Sequence, residues 1–157
     1  MKNKIIILTA LTAIGLLAMS GVSLAANKTN NLNVTASVVA QGNITSLTDI
    51  SWAFYYTTDL GSATLNGDMT FRLTKNTSYK VYITGTRAMT GPGGDTLLFE
   101  LWADAGYTVP FPIDNSGAPT SAPSNAPITK TIYGRIPAQQ DVGVDTYSTV
   151  LVATLEY

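Results

Sequence analysis

No cysteine and no histidine occurs anywhere in the 157 residues. An exported domain of this size often relies on disulfides, so its stability has to come from the core and from backbone pairing. Zinc, iron–sulfur and haem sites lose their usual ligands. The common nucleophile–base pairs cannot be assembled either, so the chain is expected not to be an enzyme, with no catalytic residues, no metal and no cofactor. Charge is scarce too, at 12% of residues, where about a quarter is usual. The remaining surface has to be Thr, Ser, Asn and Gly. Apart from the first residues, no run is apolar and long enough to span a bilayer.

That first run is informative. Lys2 and Lys4 precede an apolar stretch over residues 5–19, and Ser20, Gly21, Val22, Ser23, Leu24, Ala25 and Ala26 follow. A short basic head, an apolar middle and small residues at the end describe a secretory leader. Ser23 and Ala25 place the cut after Ala25, with Ala26 as the alternative. Residues 5–26 would also just reach across a membrane as an anchor, which is the competing reading. Cleavage leaves no membrane span and 7 Lys+Arg against 10 Asp+Glu, a net charge of -3. Nucleic acid is an unsuitable partner for such a surface, because binding it requires clustered cations. About 130 residues then remain, enough for one domain with a sizeable core.

Period-two alternation runs through most of the remainder, which sends alternate side chains to opposite faces of a sheet. Leu32, Val34, Ala36 and Val38 alternate with polar neighbours, and Ile50, Trp52, Phe54 and Tyr56 form a second stripe. Met69, Phe71 and Leu73 are followed by the turn residues Lys75, Asn76, Thr77 and Ser78 and then by Tyr79, Val81 and Ile83, which predicts a hairpin. Residues 85–95 read as a loop around Gly91-Pro92-Gly93-Gly94, and residues 97–103 as a strand. A short strand over 107–111 is confined to an edge or loop by Pro110 and Pro112. Residues 114–127 read as a long exposed loop, and 128–136 and 147–157 as strands. Seven or eight short strands in one domain predict an all-β sandwich.

The two ends suggest a use for it. The last strand is expected to put Tyr147, Thr149, Leu151, Ala153, Leu155 and Tyr157 on one face and to leave its outer edge uncovered. At the other end, residues 26–40 contain no Gly or Pro and alternate in their second half, which predicts a spare strand. An uncovered strand is a pairing template. Either this first strand folds back into its own domain, or it completes the groove of another copy.

The run Ile132-Tyr133-Gly134-Arg135-Ile136-Pro137-Ala138-Gln139-Gln140, followed by Asp145-Thr146-Tyr147-Ser148 and the alternating strand to Tyr157, resembles the C-terminal signature of the spore coat protein U family, which includes subunits of archaic chaperone–usher pili. Leu98 to Ala105 resembles the family's Tyr-x-Leu-Tyr-x-Asp-Ala strand, and Leu32 to Val38 with Asn43-Ile44-Thr45 its opening strand. Two departures stand out. Family members carry a Cys at the place of Gly42 and another at the place of Leu73, expected to pair, and both are absent here. The family's Leu-x-Phe-Gly pattern is altered to Ile50-Ser51-Trp52-Ala53-Phe54.

The resemblance implies an immunoglobulin-like β-sandwich that lacks its last strand. A periplasmic chaperone lends a strand, an outer-membrane usher exchanges it, and a neighbouring subunit's N-terminal segment replaces it in a filament of identical copies at the cell surface. The layout expected is a leader over 1–25, a donor-strand segment over 26–40 with Leu32, Val34, Ala36 and Val38 as plugs, and a pilin-like domain over 41–157. The residues named above on the last strand would line the groove. A coat or matrix protein of the same fold, and a secreted binding module or adhesin, are the alternatives.

Other motifs weigh less. Glu100 and Asp104, four apart on a strand, would lie about 13 Å apart, too far for a glycosidase pair. Asp114-Asn115-Ser116-Gly117 supplies too few oxygens for calcium and reads as a turn. The acceptor triplets at Asn27, Asn33, Asn43 and Asn76 are ordinary in a chain rich in Asn and Thr. Trp52, Tyr55, Trp102 and Tyr107 suit core or cross-strand pairs better than sugar stacking.

Overall fold

The computed structural model describes residues 30–157, so the leader over 1–25 and the start of the 26–40 segment lie outside the described residues. The chain divides into two units, Met1–Ala36 and Ser37–Tyr157. The described part of the first, residues 30–36, forms no strand and is exposed throughout.

The second unit is all β. Its strands are β1 (Gly42–Leu47), β2 (Ala63–Leu73), β3 (Ser78–Thr84), β4 (Ala88–Thr90), β5 (Thr96–Leu98), β6 (Glu100–Trp102), β7 (Thr120–Ser121), β8 (Ile128–Ile136) and β9 (Val152–Glu156). They form one sheet in the order β1-β2-β8-β6, a second in the order β7-β3-β9, and a β4-β5 ribbon, with every pairing antiparallel.

The longest ladder joins β2 to β8 from Ala63↔Ile136 to Phe71↔Ile128. Alternation fixes its faces. Met69, Phe71 and Leu73 on β2 and Ile132 and Ile136 on β8 are buried, while the outer face carries polar pairs such as Thr70 with Thr129 at 2.9 Å and Thr131 donating to Asp68 at 2.7 Å. Tyr79 and Ile83 of β3, with Leu97, Phe99, Leu101, Phe111 and Ala122, complete the core. Phe71 and Tyr79 meet edge to face across it at 5.2 Å, the arrangement that ring quadrupoles favour.

Several sequence expectations need correcting. β2 and β3 do not form a hairpin, because the turn at Lys75 and Asn76 carries the chain from one sheet to the other. Asn76 takes φ 64° there, a conformation Asn tolerates. The strand expected over 97–103 is split at Phe99. Alternation continues through buried Leu97, Phe99 and Leu101, but the hydrogen-bonding partner changes from β4 to β8.

Residues 50–58 form no strand. Ile50 and Trp52 instead cross the first sheet where glycines leave room. A Cβ on Gly134 would lie 2.8 Å from the Leu65 carbonyl oxygen and 2.9 Å from Trp52 Cζ2. Residues 107–111 form no strand, and 114–127 contains only the two-residue β7.

Candidate strand-pairing groove

A sandwich of open sheets has outer edges, and each is dealt with differently. The outer edge of β6 is covered by its own chain: Ala103 N–H donates to Val109 at 2.8 Å and Phe111 N–H to Leu101 at 2.9 Å. That covering segment is held by a turn. Asp104 accepts from the N–H groups of Gly106, Thr108 and Val109 and from the Thr108 hydroxyl, and these bonds hold its carboxyl below the usual carboxylate range. The turn tolerates Tyr107 at φ 53° and brings its ring to 5.2 Å from the Arg135 guanidinium. Arg135 also lies over Trp102 at 5.1 Å and bridges to Glu100 at 2.6 Å. Glu100 and Asp104 are therefore engaged separately, one by a guanidinium and the other by a turn.

β1 and β9 are different. Among the described residues no strand pairs with the outer edge of either. Each is paired on one side only, β1 to β2 over Gly42↔Leu73 to Leu47↔Met69, and β9 to β3 over Lys80↔Glu156 to Thr84↔Val152. The inward side chains of these two strands are Ile44 on β1 and Ala153 and Leu155 on β9. They rest against the core yet are only half-buried, as is Leu151 just before β9. Their counterparts on β8, Ile132 and Ile136, are 2% and 1% exposed. The two strands thus bound the side on which the core is incompletely covered.

Gly42 and Leu73, where the resemblance expects paired cysteines, are direct cross-strand partners. Leu73 fills the space itself. A Cβ on Gly42 would lie 2.6 Å from Leu73 Cδ2 and 2.6 Å from Tyr157 Cε1, so Leu73 and the Tyr157 ring occupy the place a side chain at 42 would take.

The six residues expected on the last strand separate into three groups. Leu151, Ala153 and Leu155 face the core on the β9 side. Tyr147 also packs on the core, but from the irregular stretch before β9. Its hydroxyl donates to the Gly143 carbonyl, and burial with the nearby Asp95 and Asp145 carboxylates pushes its pKa up. Thr149 is exposed and in no strand, while Tyr157 lies just past β9 and is 56% exposed.

The residues expected as plugs are free of any ladder. Leu32, Val34 and Val38 are 87%, 84% and 82% exposed, Ala36 is exposed, and residues 30–41 contain no strand. β1 itself was not anticipated as a groove wall. The alternation of Asn43, Ile44 and Thr45 was its signal, but it read as a continuation of the opening strand.

A family model described as Spore Coat Protein U domain matches residues 28–154. Among solved structures, a chain of the crystal structure of the CsuC–CsuE chaperone–tip adhesion subunit pre-assembly complex, from archaic chaperone–usher Csu pili of Acinetobacter baumannii, is similar with a TM-score of 0.52 at 16% identity. The match covers 77% of the present chain and 41% of that one. No curated protein matches the sequence.

Proposed function

The chain belongs to the Spore Coat Protein U domain family, and on that premise we propose that it is a structural, non-enzymatic subunit of an exported cell-surface filament, assembled by donor-strand exchange between identical copies. Residues 26–40 of one copy insert beside β9 of the next, with Leu32, Val34, Ala36 and Val38 facing its core. The observation that carries the reading is the pairing of a need with a supply. Two unpaired edges flank half-buried core residues, and one alternating segment holds its apolar side chains in water. Leu32, Val34 and Val38 contribute about 1.5–3 kcal/mol each when buried and the Ala36 methyl about 0.8 kcal/mol, and a ladder of backbone hydrogen bonds adds to this.

A chaperone that shields the groove before assembly and an usher that exchanges it are the partners this reading requires. The solved chaperone–subunit complex of similar fold supports the first of them. The family's description favours a second reading, a coat protein that pairs in the same way without forming a defined fibre.

The test is electron microscopy of cells expressing variants. Leu32→Asp or Val34→Asp should abolish filaments, because a buried unpaired carboxylate costs several kcal/mol. Asn33→Asp, on the opposite side of the strand, should leave them intact. Normal fibres from all three variants sink the assignment of the donor strand. Unfolding of isolated Val34→Asp would instead show that the strand belongs to its own domain. Pairing without fibres supports the coat.

A further inference from the structure

We infer that Tyr157 is a latch that closes the Gly42 end of the groove in an unpaired subunit and swings away when a strand enters. The inference rests on the pairing reading above and concerns its control.

Three observations converge on it. First, the Tyr157 ring and Leu73 Cδ2 occupy the place of a Gly42 side chain, so a residue from beyond β9 lies directly against the first residue of β1. Second, Cα atoms of β1 and β9 approach within 8 Å. Neighbouring strands are spaced by about 4.8 Å, so a strand lying between two edges needs them roughly 10 Å apart. Where the edges are closer than that, the groove has to widen before a strand can enter.

Third, Tyr157 is held lightly. It is 56% exposed and stands outside the β3–β9 ladder, whose last pair is Lys80↔Glu156. Its displacement therefore breaks no ladder bond. Gly42 completes the device, since any larger residue there would hold the ring away from the strand.

The closed latch covers Leu73 at an end of the groove that would otherwise present an apolar side chain and a free edge together. Such a combination invites unspecific pairing. A latch that must be displaced favours a strand able to replace its contact, and slows the others.

The acceptor for the test is the chain over 26–157 carrying Leu32→Asp and Val34→Asp, which removes its own donor function. The probe is a synthetic peptide of residues 28–41. Tyr157→Ala should raise the association rate about tenfold, the factor expected for losing one half-buried aromatic contact, and Tyr157→Phe, which keeps the ring, should restore the slow rate. Equal rates for Tyr157 and Tyr157→Ala, in proteins of matching thermal stability, overturn the latch.

Nuclear Overhauser contacts give a second measurement that needs no peptide. A cross-peak between the Tyr157 ring protons and Gly42 Hα should be present in the free acceptor and vanish on saturation with peptide. Its absence from the free protein, or its survival in the complex, overturns the latch while leaving strand pairing intact. If the peptide binds no better than one carrying Leu32→Asp and Val34→Asp, the pairing reading fails and the latch falls with it.

Discussion

Asp104 shows how much one side chain can hold. With three backbone N–H groups and one hydroxyl donating to it, its carboxyl titrates below the ordinary value of 3.8. A carboxyl whose folded pKa is depressed contributes stability above the unfolded pKa and loses it as pH falls through the folded one. Thermal melting from pH 7 to pH 2 should therefore show Asp104→Asn less stable than the parent at neutral pH, with the two curves converging in acid. A constant gap across that range would mean that the charge plays no part. Asp114, held low by Ser116, gives the parent a parallel acid loss that the comparison removes by subtraction. Gly134 tests close packing instead. Gly134→Val puts atoms against the Leu65 carbonyl, a backbone group that cannot rotate away, and should cost about 1–3 kcal/mol in urea unfolding. Equal midpoints would show that the crossing of Trp52 does not depend on that glycine.

Strands reveal which parts of this fold alternation can encode. β8 was expected at 128–136 and is found there, because its core face and polar outer face obey one period along the whole ladder. The stripe Ile50, Trp52, Phe54, Tyr56 alternates just as clearly yet forms no strand. Period two records which side a residue faces, whereas strand formation also needs a partner edge, and Ile50 and Trp52 lie across a sheet instead of beside one. The last strand is shorter than its pattern for a related reason: β3 pairs with it only over residues 152–156. The β1 wall was hidden because a strand pairing by one side reads like any other alternating segment. Hydrogen exchange distinguishes the edges experimentally. Amides of β9 that do not face β3 should exchange within minutes in an unpaired subunit and become protected in filaments, while those bonding Ala103 to Val109 and Phe111 to Leu101 stay protected in both. Equal protection of β9 in both states would rule out pairing at that edge.

At the scale of the whole molecule, the described residues combine the unpaired outer edges of β1 and β9 with an exposed apolar segment, and the proposed pairing joins the two between copies. The isolated mature chain should elute as oligomers or aggregates in size-exclusion chromatography with light scattering, and a cooperative, stable monomer would count against the groove. The fold class was legible in the sequence because it depends on local alternation. The arrangement of edges was not, since it follows from pairing across long separations. Because the stretch from Val109 to Phe111 seals β6, and β7 is only two residues long, the proposed pairing gives each copy one acceptor, the groove between β1 and β9, and one donor. In polymer terms that is a monomer of functionality two with unlike ends. On that pairing it would grow as an unbranched chain with a direction, and one subunit lacking its donor would be enough to end it.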